Sequence, residues 1–313
     1  MARRRAPSAS TPKLVLVGLL MLGLGLGLGW LLSQGTHRRG RLPGEERPAP
    51  VQPTPGHAAK PAPVGPEKPA RPAPAQPEPR RGPVAEAKPS GLPRFALIID
   101  DLGYAPPELV TRLCAQSVPF DVAVLPYLEF SHQSAEIAHG RDKEVMLHLP
   151  MEPDGYPAPG HDPGRDAILF DLDEAQIRQR VRQALADIPF HKGVNNHMGS
   201  RVTPDRPRMT WVLEELKSAG CFFIDSRTNV HSVGYQVARE LGVPTAKREV
   251  FLDDDKDPAA VRKQWDRAIA LARKNGQVVA IGHIYPETVA ILEQLIPAAE
   301  GQVQFVKASE AAR

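Results

Sequence analysis

Ala96-Leu97-Ile98-Ile99-Asp100-Asp101-Leu102-Gly103 is the stretch on which the reading of this chain turns. A short apolar run rich in Leu and Ile is a strand buried on both faces, and this one ends in two adjacent carboxylates. Like charges a few Å apart destabilise each other unless a cation or a shared proton compensates, so the pair marks a candidate site. Three later runs also deliver polar groups where they stop: Val145-Met146-Leu147 before His148, Gly193-Val194 before Asn195-Asn196-His197, and Val278 to Ile281 before Gly282-His283. In a β/α protein the C-terminal ends of parallel strands converge on one face, where these groups can meet as a metal-dependent hydrolytic centre.

From Arg94 onward short apolar runs alternate with stretches of helical spacing, the pattern of β/α units. Strands are expected at Phe95 to Ile99, Asp121 to Leu125, Glu144 to Leu149, His191 to Asn195, Cys221 to Ile224, Thr245 to Phe251, Val278 to Ile281 and Val303 to Val306. Helices are expected between them, with Asp173 capping Glu174 to Ile188 and Gly242 and Gly276 closing two others. The expected fold is α/β, a distorted (β/α) barrel of about 7–8 strands. An open doubly wound sheet fits the same alternation. Pro150 to Asp166, rich in Pro, Gly and Asp, is long for a connection and is expected to form a rim or lid.

The rest of the chain has another composition. Residues 1–13 form a basic tail carrying Arg3-Arg4-Arg5 and Lys13, and residues 14–32 are free of charge. As a helix the latter would span roughly 28 Å, close to the hydrocarbon thickness of a bilayer. The positive start places the N-terminus in the cytoplasm and the rest outside it, on the periplasmic side of the cell membrane. A cleaved secretory signal shares the basic start, but no A-x-A site follows, which favours a single-pass anchor. Gly23, Gly25, Gly27 and Gly29 have the small-xxx-small spacing by which such helices form homodimers. Residues 33–93 are a Pro- and Ala-rich linker; from Pro43 it holds 16 of the chain's 34 prolines and almost no large apolar residue, so it is expected to be disordered. The domain is residues 94–313. Formal net charge is +3, carried by the tail and linker, and implies no nucleic-acid partner.

One Asp and two His suit a divalent ion such as Zn²⁺, which takes three protein ligands in a catalytic site, while a neighbouring carboxylate free of the ion takes a proton from water. The run ALIIDDLG, with HLPMEP from His148, NNHMGS from Asn195, IDSRT from Ile224 and IGHIYPET from Ile281, resembles the divergent polysaccharide deacetylases of the NodB-like carbohydrate deacetylase superfamily. The resemblance spans Arg94 to Ser309. It implies a NodB-like barrel and metal-dependent deacetylation of a cell-wall or other envelope polysaccharide. It further implies that Asp100 is the general base, that Asp101 and His148 are metal ligands, and that His283 protonates the leaving group with Asp225 fixing its tautomer. Where the family pattern has a second histidine four residues after the first, this chain has Glu152. His197 is the expected replacement, with Glu152 as a substitute ligand or as its support. Asn196, Arg227 and Tyr104 are expected to hold substrate. The rival reading is a catalytically inactive barrel that binds glycan or assists envelope assembly.

Other residues read as scaffold. Cys114 and Cys221 are expected to be buried free thiols, Trp211 and Trp265 core residues, and Asp253-Asp254-Asp255 a solvated turn with a helix cap. Tyr156 is a weaker candidate for the glycan groove.

Overall fold

Arg94–Leu102 forms strand β1, and Phe95 to Asp100 within it are buried. The computed structural model describes residues 91–313. The expected tail, membrane anchor, glycine-mediated dimer and nearly all of the linker lie outside the described residues. Among the described residues, no helix is long and apolar enough to cross a membrane.

Strands β2 (Asp121–Val124), β3 (Glu144–Met151), β4 (His191–Met198), β5 (Phe222–Asp225), β6 (Thr245–Lys247), β7 (Val250–Phe251), β8 (Gln277–His283) and β9 (Gln304–Val306) join β1 in one sheet, all pairings parallel. The order is β6-β5-β4-β3-β2-β1-β8-β7, and β9 pairs with the start of β1. Helices α1 (Pro107–Leu113), α2 (Ser131–His139), α3 (Glu174–Asp187), α4 (Arg206–Ser218), α5 (Gly234–Leu241), α6 (Pro258–Asn275), α7 (Pro286–Ala299) and α8 (Ala308–Ala311) alternate with the strands. Asp173 caps α3, accepting a hydrogen bond from Gln176 N at 2.9 Å.

The two end strands of the sheet, β6 and β7, are separated in sequence only by Arg248 and Glu249. The amide of Arg248 donates to Asp225 O on the β5 side, and that of Glu249 donates to Val279 O on the β8 side. The chain therefore crosses from one edge to the other, which curls the sheet into a distorted (β/α) barrel. This corrects the expected single strand Thr245 to Phe251. Its two polar central residues bond to opposite edges, and the run divides there.

Period-2 alternation sorts the strand residues into two cores. Leu97, Ile99, Val122, Val124 and Leu147 face the helices, whereas Ala96, Ile98, Ala123, Met146, Ile224 and Ile281 face the inside of the curl. Trp265 of α6 is buried against Phe95, with ring centroids 4.9 Å apart, and Trp211 packs at the edge of the same core. Cys114 and Cys221 are buried and free.

Trp265→Ala is expected to destabilise the domain by about 3–5 kcal/mol, because a large buried side chain leaves a cavity that the layer cannot collapse. Urea unfolding followed by circular dichroism checks this.

Candidate metal centre

The inward-facing rows of the barrel run straight into the site. Ala96 and Ile98 are followed on the same face by Asp100, Met146 by His148, Gly193 by Asn195 and His197, and Val279 and Ile281 by His283. Strand register sets their depth: His148 lies beside Asn195, and Asp100 beside His283. All are at the C-terminal ends of their strands, at one mouth of the barrel.

Asp101 breaks this rule, since alternation would turn it toward the helices. The β1–β2 register shifts between Ile99 and Leu102, and Asp101 adopts φ +65°. Such a bulge re-aims a side chain at some cost in backbone strain. Gly103 follows at φ +116°, where a Cβ would come within 3.1 Å of Ser131 Oγ and 3.2 Å of Leu125 O, so only glycine lets the turn close.

The bulge brings Asp101 Oδ1 to 3.1 Å from His197 Nδ1 and 3.4 Å from His148 Nε2, and those two nitrogens are 3.2 Å apart. Three donors sharing one tetrahedral ion at about 2.1 Å stand roughly 3.4 Å from each other. Asp101 Oδ1 is also buried without a hydrogen-bond partner, an acceptor aimed at the centre of this triangle. Asp101, His148 and His197 therefore fit a divalent metal ion.

Asn195, to which the sequence reading gave no role, ties His148 to Asp100. Its amide nitrogen donates to Asp100 Oδ1 at 2.8 Å, which turns its carbonyl oxygen to His148 Nδ1 at 2.7 Å. The proton of His148 consequently sits on Nδ1, and the lone pair of Nε2 points at the triangle.

Charges within the site are strongly coupled. Burial opposes the charge of Asp101, but His148 and His197 override it and hold its carboxyl far below the usual carboxylate range. Burial raises the pKa of Asp100, and His148 and His283 offset this only in part. Burial also works against a charged His148, yet Asp100 and Asp101 keep its pKa above the ordinary value; for His197 burial wins and the pKa falls.

The partner of His283 is Asp253, not Asp225. Asp253 Oδ1 lies 2.9 Å from His283 Nδ1, and its Oδ2 accepts from the His283 amide at 2.7 Å and from Thr288 Oγ1 at 2.7 Å. Asp253 is thus a buried residue at a strand end, which corrects its reading as part of a solvated turn; the helix cap is Asp257. Burial disfavours charge on His283, but Asp253 prevails and lifts its pKa to about 9. Asp225 accepts instead from Arg227 N, Ser232 Oγ and Tyr235 N, which shapes the loop after β5.

The remaining expected residues separate on geometry. Both oxygens of Glu152 are engaged, one by Phe170 N and the other by Arg201, so its carboxylate stays out of the metal triangle. Asn196 is a cross-tie: its nitrogen donates to Met198 O and its oxygen accepts from Ser226 N. Tyr104 is 63% exposed, and its hydroxyl pKa is raised by partial burial and by the charges of Asp101 and Asp162. Tyr285, with its ring 5.3 Å from that of His283, is a second aromatic at this mouth. The side chain of Arg227 reaches only Val230 O, at 3.4 Å, whereas Arg248 donates to Ser226 O and Arg227 O from within the field of Asp100.

Residues 97–312 match the family described as divergent polysaccharide deacetylase. The chain belongs to that family. It is 36% identical over 217 residues to the uncharacterized protein YibQ of Escherichia coli K12, and the match covers 69% of this chain and 66% of that one, just under two thirds of the relative's length. An uncharacterized protein of Haemophilus influenzae is 34% identical over 200 residues, 64% of this chain and 70% of that one. Among solved structures, the uncharacterized protein ATU2773 of Agrobacterium tumefaciens C58 superposes with a TM-score of 0.66 at 23% identity, over 72% of this chain and 93% of that one; it shares the fold.

The Asp253–His283 pair has a defined pH signature. A histidine pKa raised on folding contributes stability that is complete below the unfolded value of about 6.5 and is lost as pH rises through about 9. In Asp253→Asn the His283 pKa is expected to fall back toward its ordinary value, and the pH-dependent part of this stability between pH 6.5 and 9 is expected to vanish. NMR titration of the imidazole and urea unfolding across that range check both.

Proposed function

We propose that this protein is a metal-dependent deacetylase acting on a cell-envelope polysaccharide, held at the membrane by the segment 14–32 and displayed on the periplasmic side. Family membership supports the reaction class and the polysaccharide substrate. The observation that carries the catalytic reading is the buried, unpartnered Asp101 Oδ1 in a triangle with His148 Nε2 and His197 Nδ1. Zinc is the ion that two imidazoles and one carboxylate favour.

An ion held by these three residues supplies positive charge that polarises an acetyl carbonyl and eases deprotonation of water. Asp100 takes that proton. Its Oδ1 is held by Asn195, and its Oδ2, 3.6 Å from His148 Nε2, faces the site. As the water oxygen bonds to the carbonyl carbon, the bond from that carbon to the sugar nitrogen or oxygen must break, and the leaving atom needs a proton. His283 provides it from Nε2, because Asp253 holds Nδ1 and keeps the ring charged up to about pH 9. The products are acetate and the deacetylated sugar. Tyr104 offers an exposed ring at the rim against which a sugar can stack.

Asp101→Asn and His148→Ala are expected to lose bound zinc, whereas Asp100→Asn keeps it and loses turnover by about 10²–10⁴-fold. His283→Ala keeps the metal and slows acetate release. Metal content by mass spectrometry and acetate release from an acetylated glycan separate these outcomes. Stoichiometric metal with no acetate release from any acetylated envelope glycan favours a binding protein built on the same barrel.

A further inference from the structure

The barrel has a second polar cavity, at the mouth opposite the metal triangle, and it arises from the crossover between β6 and β7. Strand β8 pairs with β7 only at Ala280 and Ile281, and β6 pairs among the strands only with β5, so the N-terminal halves of β6 and β8 are not paired with each other; the segment 311–313 bonds to both, Arg313 and Thr245 exchanging backbone hydrogen bonds and Ala311 O accepting from Gln277. A cavity of about 710 Å³ remains at this seam, within the size range of small-molecule sites. Arg94, Arg239, Lys247 and Arg313 line it, against one acidic side chain, Glu249. From Arg94 to Arg313 acidic residues outnumber basic ones, so this is a local concentration of positive charge.

The cations are poorly neutralised from within. Among the described residues Glu249 forms no salt bridge, one of its oxygens accepting from the Val279 amide at 2.9 Å, and Arg94 reaches only the exposed Glu310, at 3.4 Å. Arg239 and Lys247 both lie against the ring of Tyr235, at 5.9 and 5.2 Å from its centroid. Among the described residues, no carboxylate forms a salt bridge with Arg239, Lys247 or Arg313.

We propose that this seam is a binding site for a small sugar-sized anion, a sugar acid or a sugar phosphate, whose charged group meets Arg239 and Lys247. Guanidinium groups suit either oxyanion, since both present paired oxygens to a planar fork of donors. The site is separate from the metal triangle and does not depend on the deacetylase reading.

The test is isothermal titration of the full-length protein with glucuronate, with glucose 6-phosphate and with neutral glucose. Saturable binding of either anion and none of glucose at about 10 mM is expected, and the anion that binds distinguishes carboxylate from phosphate. The double variant Arg239→Gln/Lys247→Gln is expected to weaken binding at least about tenfold, while His148→Ala leaves it unchanged. Arg239 is exposed, so the single Arg239→Gln variant carries the charge test if the double variant unfolds. Absence of saturable binding by both anions, equal binding of glucose, undiminished binding in the charge variant, or loss of binding in His148→Ala overturns the proposal.

Discussion

The site depends on a break in strand alternation between two neighbouring carboxylates. A regular strand sends Asp100 into the barrel and Asp101 out among the helices, where a charge would be buried without a partner. The bulge at Asp101 turns both inward, and the left-handed backbone it imposes is accommodated by Gly103 immediately after. Each carboxylate then faces its own surroundings. Asp101 lies between two imidazoles and is held as an anion; Asp100 is buried beside one amide and is pushed toward protonation. Adjacent residues of one type acquire opposite tendencies, and this permits one to hold a cation while the other moves a proton.

Much of the barrel was legible because each strand carried a short apolar run and each helix a spaced one. The rows that aim Asp100, His148, His197 and His283 into one mouth could be read from strand ends alone, since period 2 and parallel direction fix where they point. Asn195 was visible in the same row, two residues before His197, but an amide gives no charge signal by which to select it. Asp253 escaped for another reason. It follows an apolar pair too short to read as its own strand, within a run whose break at Arg248 and Glu249 becomes apparent only when their amides are seen bonding to different neighbours. Asp225 at the end of β5 looked like the better partner for His283, yet β5 and β8 lie on opposite sides of the sheet order, with β4, β3, β2 and β1 between them.

Glu152 illustrates how a departure from a family pattern is absorbed. At this position the chain has a carboxylate where the resemblance leads one to expect an imidazole, and the carboxylate is held away from the donor triangle by Arg201 and the Phe170 amide. His197, two residues beyond Asn195 and beside Pro150 in the register, places Nδ1 in the triangle instead. The third donor thus comes from the neighbouring strand rather than from the loop after β3. Rigid strands position ligands more closely than loops do, so the loop from Pro153 to Asp166 is released from coordination and is free to vary as a rim.

The crossover from β6 to β7 links the two mouths. Because the chain leaves one edge and joins the other within two residues, the sheet never forms a ladder there, and Ser226 O and Arg227 O are left to accept from the Arg248 side chain. That guanidinium is consequently drawn inward, toward Asp100 and against Phe251, whose ring meets His283 edge to face at 5.0 Å. The same missing ladder leaves the lower halves of β6 and β8 apart and opens the cationic seam. A closed barrel would have satisfied those backbone groups by strand pairing and would have had neither feature. The imperfect closure of the sheet therefore shapes the surroundings of Asp100 and His283 at one end and creates the cavity at the other.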